Sequence, residues 1–107
     1  MQDLNDFKAT GRLTRDIELS YTPSGKAVGK GSIAINRKYG ETEKTTFVDF
    51  TVWEKAAEIM TEYTKKGSQL LLCGRIEQDT WEKDGKKFSK LFMVVEDFKF
   101  LDKKDKE

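Results

Sequence analysis

The sequence predicts an all-β barrel of five strands, with one helix between the third and fourth. Three observations lead there. Short apolar and β-branched stretches recur, several with alternating polarity, and turn residues separate them. Only one stretch, Glu54 to Lys66, changes to a helical period. The chain has 107 residues, enough for one domain. At that size it can bury roughly 65% of the surface its unfolded form exposes.

The first strand lies within Leu4 to Leu13 and bends at Gly11. Tyr21-Thr22-Pro23-Ser24-Gly25-Lys26 is a turn, because proline presets φ and glycine tolerates a positive one. Val28 to Asn36 alternates in its second half, with Gly31, Ile33 and Ile35 against Ser32, Ala34 and Asn36. That is a half-buried strand. Lys38 to Thr45 reads as a polar, charged loop around Gly40. Thr46 to Trp53, β-branched and aromatic, is the third strand.

In the helix, Ala56, Ala57, Ile59, Met60 and Tyr63 mark one apolar face. Lys65 and Lys66 occupy its last turn and Gly67 closes it. Gln69 to Ile76 is the fourth strand, with Cys73 as a core residue. Asp84-Gly85 marks a hairpin turn, and Phe88 to Leu101 is the last strand. The domain is therefore residues 1–101, and 102–107 form a charged, frayed tail. This order suits a five-stranded Greek-key barrel of the OB type.

Composition removes several function classes. There is no His, so Ser-His-Asp and Cys-His catalysis are excluded. One Cys without His cannot build a tetrahedral zinc site. A lone Cys makes no internal disulfide, which fits a reducing cytoplasm. No apolar run approaches the ~20 residues of a membrane span. The acidic N-terminus lacks the apolar core of a secretory signal. No glycines sit in a phosphate-loop frame, and Asp16, Glu18, Asp49 and Glu58 form no recognisable metal motif. An enzyme is not expected, nor a metal or cofactor. Lys+Arg number 20 and Asp+Glu 19, so any basic footprint is local.

Four segments, in order, carry a resemblance. Gly11-Arg12-Leu13-Thr14-Arg15-Asp16 through Tyr21-Thr22-Pro23-Ser24-Gly25-Lys26-Ala27-Val28 is the first. Phe47, Phe50, Val52-Trp53, Lys55 and Ala57-Glu58 are the second. Tyr63, Lys65-Lys66-Gly67-Ser68-Gln69 and Gly74-Arg75-Ile76 are the third, and Trp81 to Gly85 is the fourth. Together they resemble bacterial single-stranded DNA-binding proteins from about Phe7 to Leu101. The resemblance implies an OB barrel in a homo-oligomer, a tetramer or a dimer. It also implies a cytoplasmic, nucleoid-associated protein that binds and protects single-stranded DNA in replication, recombination and repair.

Binding single strands without reading sequence needs flat rings for base stacking and cations along the phosphate path. The family's four stacking positions fall here on Tyr39, Phe47, Trp53 and Trp81. Tyr39 and Trp81 lie in polar contexts with no core to enter. Phe47 and Trp53 lie on an apolar strand, where an aromatic commonly packs inward. Their spacing of six puts both on one strand face with Asp49 and Thr51, while Phe50 and Val52 point into the barrel. Arg12, Arg15, Arg37, Lys38, Lys55, Lys66, Lys86 and Lys87 are the candidate phosphate contacts. Each also has a plainer reading as a solvated charge.

Two departures stand out. Members of the family usually end in a flexible linker and an acidic tip that recruits replication and repair proteins. This sequence stops at Lys103-Lys104-Asp105-Lys106-Glu107, so such partners are expected only of a chain carrying that tip. Secondly, Glu77 and Asp79 stand where the family often has a cation, and with Asp49 they predict weaker or more salt-sensitive binding. An adaptor on the same fold, acting through protein contacts, is the alternative reading. RNA is an alternative ligand, since stacking does not distinguish it from DNA.

Overall fold

Hydrogen bonding closes five strands into a ring. The computed structural model describes residues 2–102. In chain order the elements are β1 (Phe7–Leu13), β2 (Glu18–Tyr21), β3 (Ala27–Tyr39), β4 (Thr42–Trp53), α1 (Glu54–Tyr63), β5 (Gln69–Lys83) and β6 (Lys86–Phe100). The ring runs β1-β5-β6-β4-β3, and β3 returns to β1 through Arg12↔Ala34 and Leu13↔Ile33. All pairings are antiparallel except the short β4–β6 seam, Phe50↔Met93 and Thr51↔Val94. This is the predicted five-stranded OB barrel, with its helix between the third and fourth strands of the ring.

The elements differ from expectation in four places. β2 was not predicted. Three of its four residues are exposed, so no alternation betrays it, and it only extends the edge of β3. Lys38 to Thr45 is not a loop: β3 and β4 continue to Tyr39↔Thr42 around the two-residue turn Gly40-Glu41. Gly40 has φ +61 at the first turn position, as a tight hairpin requires. β5 likewise runs seven residues past Ile76, to Lys83. Both extensions are wet on both faces, so polarity hides the period of two. Finally, α1 stops at Tyr63, three residues early, and leaves Lys65 and Lys66 outside its last turn. The Thr64 hydroxyl donates back to the Met60 carbonyl, and the Lys66 N–H donates to Asp16 Oδ1 at 2.7 Å.

The core fills the ring with Leu13, Ile33, Phe50, Val52, Leu70, Leu72 and Met93, and α1 adds Ala57 and Met60. Two glycines make the packing possible. A Cβ on Gly31 would stand 2.6 Å from the Phe50 ring. One on Gly74 would stand 1.9 Å from the Val94 carbonyl oxygen, at the bulge where the β5–β6 register shifts. Cys73 is beside that bulge and is only half-buried; Leu72 fills the interior position instead, which corrects the core assignment of Cys73.

Beyond the core, β3–β4 and β5–β6 continue as two-stranded arms. They raise the radius of gyration to 15.6 Å, against about 13 Å for a compact chain of this length. Asp102, first residue of the predicted tail, accepts the Gln69 N–H at 3.1 Å. Residues 103–107 lie outside the described residues.

Candidate nucleic-acid interface

The barrel fixes which side chains face out. Phe50 and Val52 are buried, so Phe47, Asp49, Thr51 and Trp53 point away from the core. The Phe50↔Met93 pairing then turns Phe88, Lys90 and Phe92 of β6 outward on the same side. The β5–β6 register carries this across to Trp81, opposite Phe88, and to Asp79, opposite Lys90. Phe47, Trp53 and Trp81 therefore share one outer face, at 66%, 42% and 48% exposure. Lys90 pairs with Asp49 across the seam and joins the two halves of that face.

Tyr39 is placed differently. Its partner is Thr42, which belongs to the opposite side of the β3–β4 ladder from Phe47. It stands at the arm tip, exposed, with the Arg37 guanidinium 5.3 Å from its ring centre. That cation–π contact holds Arg37 on the aromatic.

The other candidate cations are dispersed. Arg15 opens onto the face beside Asp49 and Lys90, 3.8 Å from Glu18. Lys87 borders the recess around Trp81 and Phe88, with Lys86 at the same arm tip. Lys38 is exposed on the β3–β4 arm, opposite Glu43. Lys55 is exposed at the start of α1, near Glu58 and Tyr21. Arg12 is two strand spacings from Phe47, through Ala34, roughly 10 Å away. Its guanidinium is turned to the Gly67 carbonyl at 2.9 Å and to Asp102 at 3.7 Å. Lys66 belongs to that same corner rather than to the aromatic face.

Four residues of this face were missed in the sequence, Phe88, Phe92, Lys90 and Lys30. Phe88 stacks on Trp81, centroids 5.9 Å apart and planes 19° from parallel. The signal was present: a two-residue turn at Asp84-Gly85 pairs Lys83 with Lys86, and counting back pairs Trp81 with Phe88. Lys90 and Lys30 gave no such signal, because their position depends on β4 meeting β6 and β3. The acids are also less bare than expected. Glu77 is held by Arg75 at 2.9 Å, and the Lys90 ammonium draws the Asp49 carboxyl below its ordinary range. Among the described residues no group of His, Cys, Asp or Glu could hold a metal ion. No helix there is long and apolar enough to cross a membrane.

With this geometry in view, the sequence matches the single-strand binding protein family over residues 4–101. The chain belongs to that family. Among its relatives, a single-stranded DNA-binding protein of Wolinella succinogenes is 40% identical over 106 residues, covering 94% of this chain and 65% of the relative. One from Borreliella burgdorferi is 37% identical, covering 94% and 72%. A third, from Treponema pallidum, is 40% identical over 95 residues; this chain spans 54% of it and 65% of the Wolinella protein, between about half and two thirds of their length. Among solved structures, a Plasmodium falciparum SSB in complex with ssDNA superposes with a TM-score of 0.89. The superposition covers 95% of this chain and 98% of the other at 19% identity, and it supports the OB fold.

Proposed function

We propose that this chain binds single-stranded DNA without reading its sequence, stacking bases on Phe47, Trp53 and Trp81. The observation that carries the reading is their common outer face. Three large aromatics at 42–66% exposure have no core to explain them, and stacking on each is worth roughly 1–3 kcal/mol per base. Tyr39, at the arm tip on the other side of the β3–β4 ladder, takes a base only from a strand that rounds the tip. Arg15, Lys38, Lys55, Lys86 and Lys87 supply cations beside the aromatic face, while the guanidinium groups of Arg12 and Arg37 are engaged within the protein and Lys66 lies at the Gly67 corner, away from that face. Family membership supports a role in protecting single strands during replication, recombination and repair, as a cytoplasmic binding module rather than an enzyme.

A homo-oligomer fits the same reading. The outer edge of β1 from Phe7 to Gly11 pairs on one side only, with β5, and so offers a seam to a second copy. Sedimentation equilibrium tests this, with a dimer or tetramer expected and a monomer refuting it.

The binding experiment uses the two tryptophans, Trp53 and Trp81, as reporters. The chain is titrated with oligo-dT at two salt concentrations while intrinsic fluorescence is followed. Saturable quenching that weakens with salt, at a slope of about −0.7 per phosphate contact, supports the proposal. Absence of quenching at low salt refutes it and favours the adaptor.

A further inference from the structure

At the β4–β6 seam the aromatic face sinks into a cleft of about 190 Å³. Arg15, Lys30 and Lys90 line it, together with Asp49 and Asp79. A strand running from Phe47 and Trp53 on β4 to the Trp81–Phe88 pair on the β5–β6 arm must cross this seam. Its backbone carries one negative charge per nucleotide, so the crossing needs cations. In the free protein those cations are partly occupied. Lys90 is ion-paired with Asp49 and is also the ladder partner of Asp79. Arg15 leans on Glu18 at 3.8 Å. Lys30 forms no salt bridge among the described residues, and it lies beside Thr51 on the outward side of β3.

We propose that this cleft is a phosphate subsite of the stacking face, latched by the Asp49–Lys90 pair. An incoming phosphodiester takes the Lys90 ammonium from Asp49. The inference rests on the single-strand-binding reading of that face, and it adds a regulated contact to it. The exchange swaps one anion for another on Lys90, so the ammonium stays paired throughout. Its cost falls on Asp49, which is left ionised beside a phosphate, with Arg15, Lys30 and the Ser32 hydroxyl near it, Asp79 opposing, and Glu18 facing both Arg15 and Lys30. Lys90 also draws the Asp49 carboxyl below its ordinary range in the free state, so the latch is charged at neutral pH. The seam itself is only two residue pairs long, and beyond it β4 and β6 diverge. That gap is what gives a backbone phosphate access to Lys90.

The test measures oligo-dT affinity by fluorescence anisotropy across a salt series, for the wild-type chain, Asp49→Asn, Lys90→Gln and the double variant. Asp49→Asn releases Lys90 without removing it. It should tighten binding about five-fold near 0.1 M salt and steepen the salt slope by part of the roughly 0.7 that one full phosphate contact carries. Lys90→Gln should weaken binding and flatten the slope, and its effect should be larger in the Asp49→Asn background. Asp49→Asn that is folded by circular dichroism, yet matches wild type in affinity and slope, overturns the latch. So does Lys90→Gln with an unchanged slope. Failure of the wild-type chain to bind oligo-dT at all overturns instead the reading of the whole face.

Discussion

Trp81 and Phe88 face each other across the β5–β6 ladder, with ring centroids 5.9 Å apart and planes 19° from parallel. One face of the indole is therefore covered by protein and the other is free for a base. Such a pair is worth about 0.5–1.5 kcal/mol beyond its area. It holds the indole in place before a ligand arrives. Trp81→Ala should weaken oligo-dT binding by roughly 1–3 kcal/mol, about 5- to 150-fold. Phe88→Ala should weaken it less, by about two- to ten-fold, because only the support is lost. In a Trp53→Phe background, quenching on titration reports Trp81 alone. Retained quenching in Phe88→Ala with reduced affinity is the expected signature.

Gly74→Ala should destabilise the barrel. A methyl there meets the Val94 carbonyl oxygen at 1.9 Å, and that oxygen belongs to backbone that cannot swing aside. Overpacking of this kind costs about 1–3 kcal/mol or more. Urea unfolding followed by circular dichroism should show a lower midpoint. A midpoint equal to wild type would mean the bulge can relax.

Gly85→Ala should loosen the β5–β6 arm but spare the barrel. Gly85 has φ +76 and its added Cβ would meet nothing, so the whole penalty is conformational. That penalty is roughly 1–2 kcal/mol. Hydrogen exchange should quicken over Glu77 to Lys90 while amides of Leu70, Leu72 and Met93 keep their protection.

The Asp49–Lys90 pair should also show in acid. Lys90 lowers the folded carboxyl below its ordinary 3.8. A depressed carboxyl contributes stability above the unfolded value, and that stability is lost as pH falls through the folded value. The wild-type chain should therefore lose stability below about pH 4 more steeply than Asp49→Asn. Thermal melts from pH 7 to about pH 2 check the difference.

The barrel was legible because its strands are wet on one side only. Thr46 to Trp53 alternates, and burial of Phe50 and Val52 against exposure of Phe47 and Trp53 follows that alternation. The arms were not legible for the opposite reason. Asn36 to Tyr39 and Glu77 to Lys83 are exposed on both sides, so nothing in their polarity marks a strand. Among site residues, Phe47 and Trp53 follow from strand parity, Trp81 came from its polar context and the family resemblance, and Lys90 and Lys30 depend on which strands become neighbours. Parity also separates Tyr39 from Phe47, but only once the Gly40-Glu41 turn fixes the register. The helix end at Tyr63 was missed because the Thr64 hydroxyl, not a lysine, satisfies the Met60 carbonyl.

The arms have a consequence for how such a chain can change. From Glu77 to Lys90 no side chain is buried, so length there is free of the core. Facing is not free. One residue inserted in β5 between Ile76 and Trp81 would swing the indole to the opposite side, while two would restore it. Reach can therefore grow or shrink only in paired increments of two residues per strand, each about 7 Å long. Insertions and deletions in this segment should be tolerated by even number, and odd ones should cost the ring its ligand.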